Sequence, residues 1–496
     1  MSSAPAQNPA PETGKPAPAS TTSPAFVNQK VAVAVVFVAA MFLNIMDTTI
    51  VNVALPTLAR QFSVTPAAAD AVVVGYLISL AVFIPASGWL GDRWGTKRIF
   101  LIALAVFTLA SAACGLAQSL GQLVAFRVAQ GIGGGMLTPV GMAMLYRVFP
   151  PAERLRAARI LQLPIIVAPA TGPVIGGLLI DQLSWRWAFY VNVPIGLAAF
   201  LFGLFALTES REQAAGKFDL RGFILAGVGS ALLMYALTQG PVQGWDSPLI
   251  VSTGIAGLAT LVLLVVSSLR LEAPMLDFRL LAVQLFARLN LVSFFISCGF
   301  MGLLFLVPLL VQDARGGSPL TSGLLTIPEA FGVVTAGQIV IRIYHHVGPR
   351  RLISGGLTSL GIAIVTLGST YEHLSNTGIV AIMYWAGLSV GCVFLPMQTA
   401  AFVRISRPSM GRASALFNAQ RQFGSAFGVA ILSSVLVLAG FVPGADHAAI
   451  SGAFAPAFYV SAAMAFLGAL VGLTVPDNDS DYRSMGGKPK AEGKNA

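Results

Sequence analysis

Charge is scarce in this chain. Of 496 residues only 20 are acidic and 30 basic, about a tenth of the total, against 56% hydrophobic residues. A water-soluble domain carries roughly 25% charged residues, so most of this surface cannot face water. Cysteine is nearly absent: Cys114, Cys298 and Cys392 stand apart in apolar segments, which excludes a disulfide framework. The four histidines (His345, His346, His373, His447) fall between apolar runs and form no metal-ligand spacing with other residues. No nucleophile motif and no nucleotide-binding loop is present, so no enzymatic centre and no cofactor is expected. The net charge of +10 lies in short loops between apolar runs, a pattern of membrane topology that excludes a nucleic-acid groove binder.

Long apolar runs are abundant instead. A helix crosses the hydrocarbon core in about 20 residues, and fourteen runs of that size follow one another, from one centred near Ala40 to one near Met464. Basic residues cluster after every even-numbered run: Arg93, Lys97 and Arg98; Arg154, Arg156 and Arg159; Arg211, Lys217 and Arg221; Arg270 and Arg279; Arg350 and Arg351; Arg404, Arg407 and Arg412. The opposite loops hold little beyond Arg60, Arg186 and Arg315. The positive-inside rule then places both termini in the cytoplasm. Residues 1–29, rich in Pro, Ala, Ser and Thr, lack the charged start and apolar core of a signal peptide and are expected to be a disordered tail.

The 51 glycines fit close helix packing in a membrane. The loop Asp92-Arg93-Trp94-Gly95-Thr96-Lys97-Arg98 has a degenerate echo in His346-Val347-Gly348-Pro349-Arg350-Arg351, each following the second run of its half. Such repeats build many secondary transporters, with the substrate site between the halves near mid-membrane. The expected layout is an all-α polytopic membrane protein: a six-helix bundle over 30–208, two additional helices over 209–285, a second six-helix bundle over 286–475, and a tail over 476–496.

Three charges inside apolar runs stand out. Asp47 lies in Met46-Asp47-Thr48-Thr49 of the first run, Arg127 in the fourth and Glu329 in the tenth. Each costs about 2.5–3.5 kcal/mol at mid-depth on insertion scales, so such residues are functional by default. For Asp47 the plain alternative is a polar contact with Asn44 or Asn52; for Arg127, a clamp on neighbouring carbonyls; for Glu329, a stabilising pair with a span arginine. Whether Asp47 and Arg127 meet does not follow from the sequence. Asn44, Tyr76, Gln398, Asn418 and Gln422 are candidate substrate-cavity residues, with Phe305, Tyr384, Met397 and Phe423 as further apolar lining.

Several motifs together resemble the major facilitator superfamily, and within it the fourteen-span drug:proton antiporter group. They are Gly91-Asp92-Arg93-Trp94-Gly95-Thr96-Lys97-Arg98, Arg127-Val128-Ala129-Gln130-Gly131-Ile132-Gly133-Gly134-Gly135, Gly172-Pro173-Val174-Ile175-Gly176-Gly177, the Asp47 run, and Trp185-Arg186-Trp187-Ala188-Phe189-Tyr190-Val191-Asn192-Val193-Pro194. The resemblance implies a facilitator fold of two bundles with two central extra helices, proton coupling through Asp47, Arg127 and Glu329, and export of hydrophobic, cationic compounds by a monomer in a bacterial inner membrane. It implies that Gly91, Asp92, Arg93, Gly95 and Arg98 latch the halves together on the cytoplasmic side, near Gly411 and Arg412. It also implies that Gly172, Pro173, Gly176 and Gly177 form a close interhelical contact characteristic of antiporters. An exporter dedicated to one endogenous metabolite would share these features.

Overall fold

The computed structural model describes residues 28–64, 69, 71–150, 153, 168, 172, 175–180, 182–211, 218–272, 274–317, 319–441 and 451–476. Among these, thirteen helices are long and apolar enough to cross a membrane. The tail before residue 28, the basic residues Arg154, Arg156 and Arg159, Pro173 and most of the run around Ala168 lie outside the described residues.

The helices are α1 (Gln29–Gln61), α2 (Ala71–Trp94), α3 (Thr96–Leu116), α4 (Leu120–Val148), a single turn at Trp187–Tyr190, and α5 (Asn192–Ala206). Then come α6 (Leu220–Gln243) and α7 (Pro248–Arg270), followed by α8 (Gln284–Leu309), α9 (Pro319–Val347), α10 (Pro349–Thr370), α11 (Asn376–Ala401), α12 (Met410–Leu438) and α13 (Phe454–Gly472). His345 and His346, expected between helices, belong to the last turn of α9, because the apolar stretch before them carries the helix on to Val347.

Helices α1–α5 pack with one another, as do α8–α13. The glycine run of α4 makes the first group compact. A side chain at Gly135 would stand 2.5 Å from the Leu80 carbonyl of α2, and one at Gly133 would stand 2.6 Å from the Ala103 carbonyl of α3. Backbone thus meets backbone on both sides of α4, as small residues permit. A side chain at Gly176 would stand 3.2 Å from Ile50 of α1, and one at Gly172 would meet Thr49, so this pair packs on the helix that carries Asp47.

The sequence echo has a common local geometry. Gly95 and Gly348 occupy the N-cap positions of α3 and α10 with φ of 100° and 80°, a conformation that side chains rarely adopt. Both therefore turn the chain sharply between consecutive spans.

The two groups meet chiefly through α12, which packs on α2 and α4. The extra helix α6 also touches both groups, lying on α2 and on α12. Phe223 of α6 meets Phe83 of α2 at 5.7 Å, and Trp245, just beyond α6, donates to Ser434 of α12 at 2.6 Å. By contrast, α7 leans on α6 and is mostly exposed to the surroundings.

Candidate functional site

The first cluster lies in the N-terminal group. Asp47 on α1 and Arg127 on α4 have no exposed surface, and Arg127 Nη1 donates to Asp47 Oδ2 at 2.5 Å. Gln130, one turn along α4 from Arg127, accepts from Nη1 at 2.6 Å through Oε1. Its Nε2 donates to Asp47 Oδ1 at 2.8 Å and to Ser111 Oγ of α3 at 2.6 Å. Asn192, at the start of α5, gives Asp47 Oδ1 a further bond at 2.9 Å. The carboxylate on α1 is thus bonded from α4 and α5, with Ser111 of α3 held behind Gln130, and Asn44 supplies none of its bonds; the Asn52 side chain lies outside the described residues.

Arg127 is held from other sides too. Nε donates to the Val72 carbonyl at 3.2 Å, and the guanidinium lies 4.1 Å from the Tyr76 ring centroid and 5.8 Å from that of Phe189. A cation over an aromatic face gains about 0.5–2 kcal/mol, the more so without water. Tyr76 is fully buried, and its hydroxyl donates to Asn44 Oδ1 at 2.7 Å, while Asn44 Nδ2 donates to the Gly134 carbonyl at 3.0 Å. Tyr76 and Asn44 therefore support the ion pair from one side. Arg127 Nη2 and Asn192 Oδ1 are buried and find no partner among the described residues. A donor and an acceptor left open beside a buried carboxylate are where a proton or water can enter the network.

The second cluster closes the end that carries the basic loops. Asp92, 4% exposed, pairs with Arg147 Nη2 of α4 at 2.5 Å. Its carboxylate also rests against Gly411, where a side chain would come within 2.6 Å of Oδ1, in the first turn of α12. An acid there faces the positive end of the helix. Close by, Ser414 Oγ donates to the Pro139 carbonyl at 2.9 Å, and Tyr146 stacks on Phe402 at 5.0 Å. Gly91 is buried, whereas Arg93 and Arg98 are exposed. Arg98 Nε lies 3.8 Å from Glu209, whose carboxylate accepts from the Lys97 and Arg98 amides at 3.0 and 3.2 Å. Arg412 pairs at 3.5 Å with Asp277 of the segment before α8.

The third group lies in the C-terminal helices. Glu329 of α9 makes no side-chain hydrogen bond or ion pair among the described residues, and its backbone abuts Gly387 of α11. On α9, Leu324, Phe331 and Val334 are exposed, and helical register puts Glu329 on the opposite face. Gln398 and Asn418 line a narrow recess between the groups, together with Met41, Thr138, Met142, Phe417 and Arg421. Gln422 is half-buried on α12 and does not line it. Tyr384 is 38% exposed and bonds Thr335 at 3.1 Å, away from the recess.

A model of the major facilitator superfamily matches residues 37–429, spanning α1 to the middle of α12. The chain belongs to the major facilitator superfamily. It is therefore a multi-pass membrane transporter of small molecules and not an enzyme. Among its relatives, the multidrug resistance protein B homolog of Mycobacterium tuberculosis (strain H37Rv) is 33% identical over 398 residues, 79% of this chain and 73% of that protein. The putative multidrug resistance protein MdtD of Salmonella paratyphi B is 35% identical over 326 residues, 66% and 69% of the two chains. Two solved facilitator structures share the fold at low identity. The human organic anion transporter MFSD10 superposes with a TM-score of 0.66 at 15% identity, over 90% of this chain and all of that one. The proton:xylose symporter XylE superposes with a TM-score of 0.64 at 16% identity, over 90% and 96%.

Sequence reasoning singled out Asp47 and Arg127 but assigned no role to Gln130, Ser111 or Asn192, nor to Glu209 or Arg421. Gln130 and Asn192 lie inside two of the motifs, and Gln130 sits one turn from Arg127 on the same helix face, which is a usable signal. Ser111 carries none, being one serine among many in apolar segments.

Proposed function

We propose that this facilitator is a proton-driven antiporter of the fourteen-span drug:proton group, exporting hydrophobic cationic compounds from the cytoplasm or inner leaflet. The observation that carries this reading is the buried circuit of Asp47, Arg127, Gln130 and Asn192. Protonation of Asp47 removes the counter-charge of Arg127 and turns one carboxylate oxygen from acceptor to donor, so the bonds joining α1, α4 and α5 must be redrawn. Proton uptake is thereby tied to movement of helices that pack directly on one another.

Glu329 supplies the second half of the exchange. A carboxylate in a span without an ionic partner can hold an organic cation, and a proton bound there weakens that hold. The energy is adequate: about 2.3 kcal/mol per charge per 100 mV of membrane potential, and about 1.4 kcal/mol per pH unit.

The layout assumed is two six-helix bundles joined by α6 and α7, fourteen spans in all, with both termini cytoplasmic in a bacterial inner membrane. With the basic loops on the cytoplasmic side, the contacts of Asp92, Gly411, Ser414 and Tyr146 seal the inner end. Alternating access then requires α12 to part from α2 and α4 there. The names of the relatives from Mycobacterium tuberculosis and Salmonella favour drugs as cargo. The test is proton flux in proteoliposomes of the purified protein. Flux driven by lipophilic cations supports the reading; no flux with any of a panel of them defeats it.

A further inference from the structure

Arg421 of α12 is the one charge at the central recess, and the coupling circuit does not use it. Its guanidinium makes a single hydrogen bond, from Nη2 to Asn418 Oδ1 at 3.3 Å, and no carboxylate among the described residues lies within ion-pair distance. Asn418 offers it no second acceptor atom, because its Nδ2 is itself a donor, bonded to the Ser414 carbonyl at 2.9 Å and to Met142 Sδ at 3.2 Å. A guanidinium has five donors in a planar fork, so most of them remain to be used. The Gln398 side chain, 9% exposed, also lines the recess with no hydrogen bond among the described residues. The remaining wall is Phe417 of α12 with Met41, Thr138 and Met142 from the first group of helices. Both groups thus contribute, which is the position a transported molecule must occupy.

An arginine in an apolar span costs several kcal/mol unless it is paired, and here no protein group pairs it. A fork of donors set in an apolar, methionine-rich wall fits one ligand chemistry best: a carboxylate carried on an apolar frame, bound by two parallel N–H···O contacts. We infer that Arg421 is a substrate-anion subsite, so that this transporter takes amphoteric amphiphiles, with a carboxylate at Arg421 assisted by the Gln398 amide. The inference rests on the transport reading above for the placement of substrate between the two groups. It widens the substrate class from cations to molecules that also bear an acid.

The experiment measures binding of two fluorescent probes to the purified full-length protein in nanodiscs. One is an aromatic amphiphile bearing an amine and a carboxylate; the other is its methyl ester. The wild type is expected to bind the acid at least about tenfold tighter than the ester, the value of a charge-assisted contact. In Arg421→Gln the ratio falls to near unity, and in Arg421→Lys, which keeps the charge but loses the fork, it falls part-way. A wild-type ratio near unity, or a ratio unchanged in Arg421→Gln, overturns the inference. Should Arg421→Gln not fold, Arg421→Lys decides by the same ratio. Binding needs no proton gradient, so failure of proton coupling, read separately with a lipophilic cation lacking an acid, leaves this ratio legible.

Discussion

Asp47 and Arg127 have no exposed surface and bond each other, whereas Glu329 on α9 and Arg421 on α12, in the other group of helices, have no ionic partner among the described residues. The N-terminal group has closed its charges into a circuit with Gln130, Ser111 and Asn192. The C-terminal group has left its charges open, one of them at a recess that both groups line. A buried pair tolerates no loss of a member, since the survivor becomes an uncompensated charge. An open charge awaits something from outside the chain. The first arrangement suits a device that responds to a proton alone, and the second suits recognition of cargo.

The contrast should first appear as stability. Arg127→Ala leaves Asp47 buried without its counter-charge and is expected to cost about 3–5 kcal/mol. Arg421→Ala breaks no ion pair and should stay within about 1 kcal/mol. Denaturation of the two variants in detergent compares them directly, and equal losses would mean that the C-terminal charge is structural after all.

Selectivity sharpens the comparison next. Glu329→Gln should lower the response to a lipophilic cation by about tenfold or more while sparing that to a neutral drug, since a charge-assisted contact is worth about 1.5–3 kcal/mol. Proton release from acid-loaded inverted vesicles on adding each compound separates the cases. Equal loss with both compounds would place Glu329 in the coupling circuit instead.

The smallest effect is expected where the two groups touch. Asp92→Asn weakens the contact of this side chain with the start of α12, worth about 1 kcal/mol, or roughly a fivefold shift toward the parted form. The bond to Arg147 lies within the first group and does not bear on parting. The labelling rate of a Ser414→Cys reporter by a membrane-impermeant thiol reagent should rise by that factor. An unchanged rate would leave the loop with a topological role only.

What the sequence discloses follows from how rare each signal is. Asp47 and Arg127 are conspicuous because a charge in an apolar run is improbable without a use. Their meeting is not legible, because it depends on the rotation of α1 about its axis, and the apolar residues around Asp47 define no sharp face. Gln130, Ser111 and Asn192 are uncharged residues that are common in membrane helices. Only the fold shows that Gln130 and Asn192 aim at one carboxylate, with Ser111 bonded behind them. Arg421 meets the same criterion as Arg127, yet the polar residues beside it, Asn418 and Gln422, draw attention away from it. The turn geometry is the most legible part of the fold, since Gly95 and Gly348 occupy φ values that other residues rarely adopt. The bridging position of α6 depends on long-range contact and leaves no trace in its apolar sequence.

The most direct test of the account is substrate-driven proton release from acid-loaded inverted vesicles, comparing wild type with Asp47→Asn at matched expression and confirmed substrate binding. The account predicts release from the wild type and none from Asp47→Asn, because the amide cannot carry the proton. Undiminished release from Asp47→Asn would contradict it and remove Asp47 as the carrier.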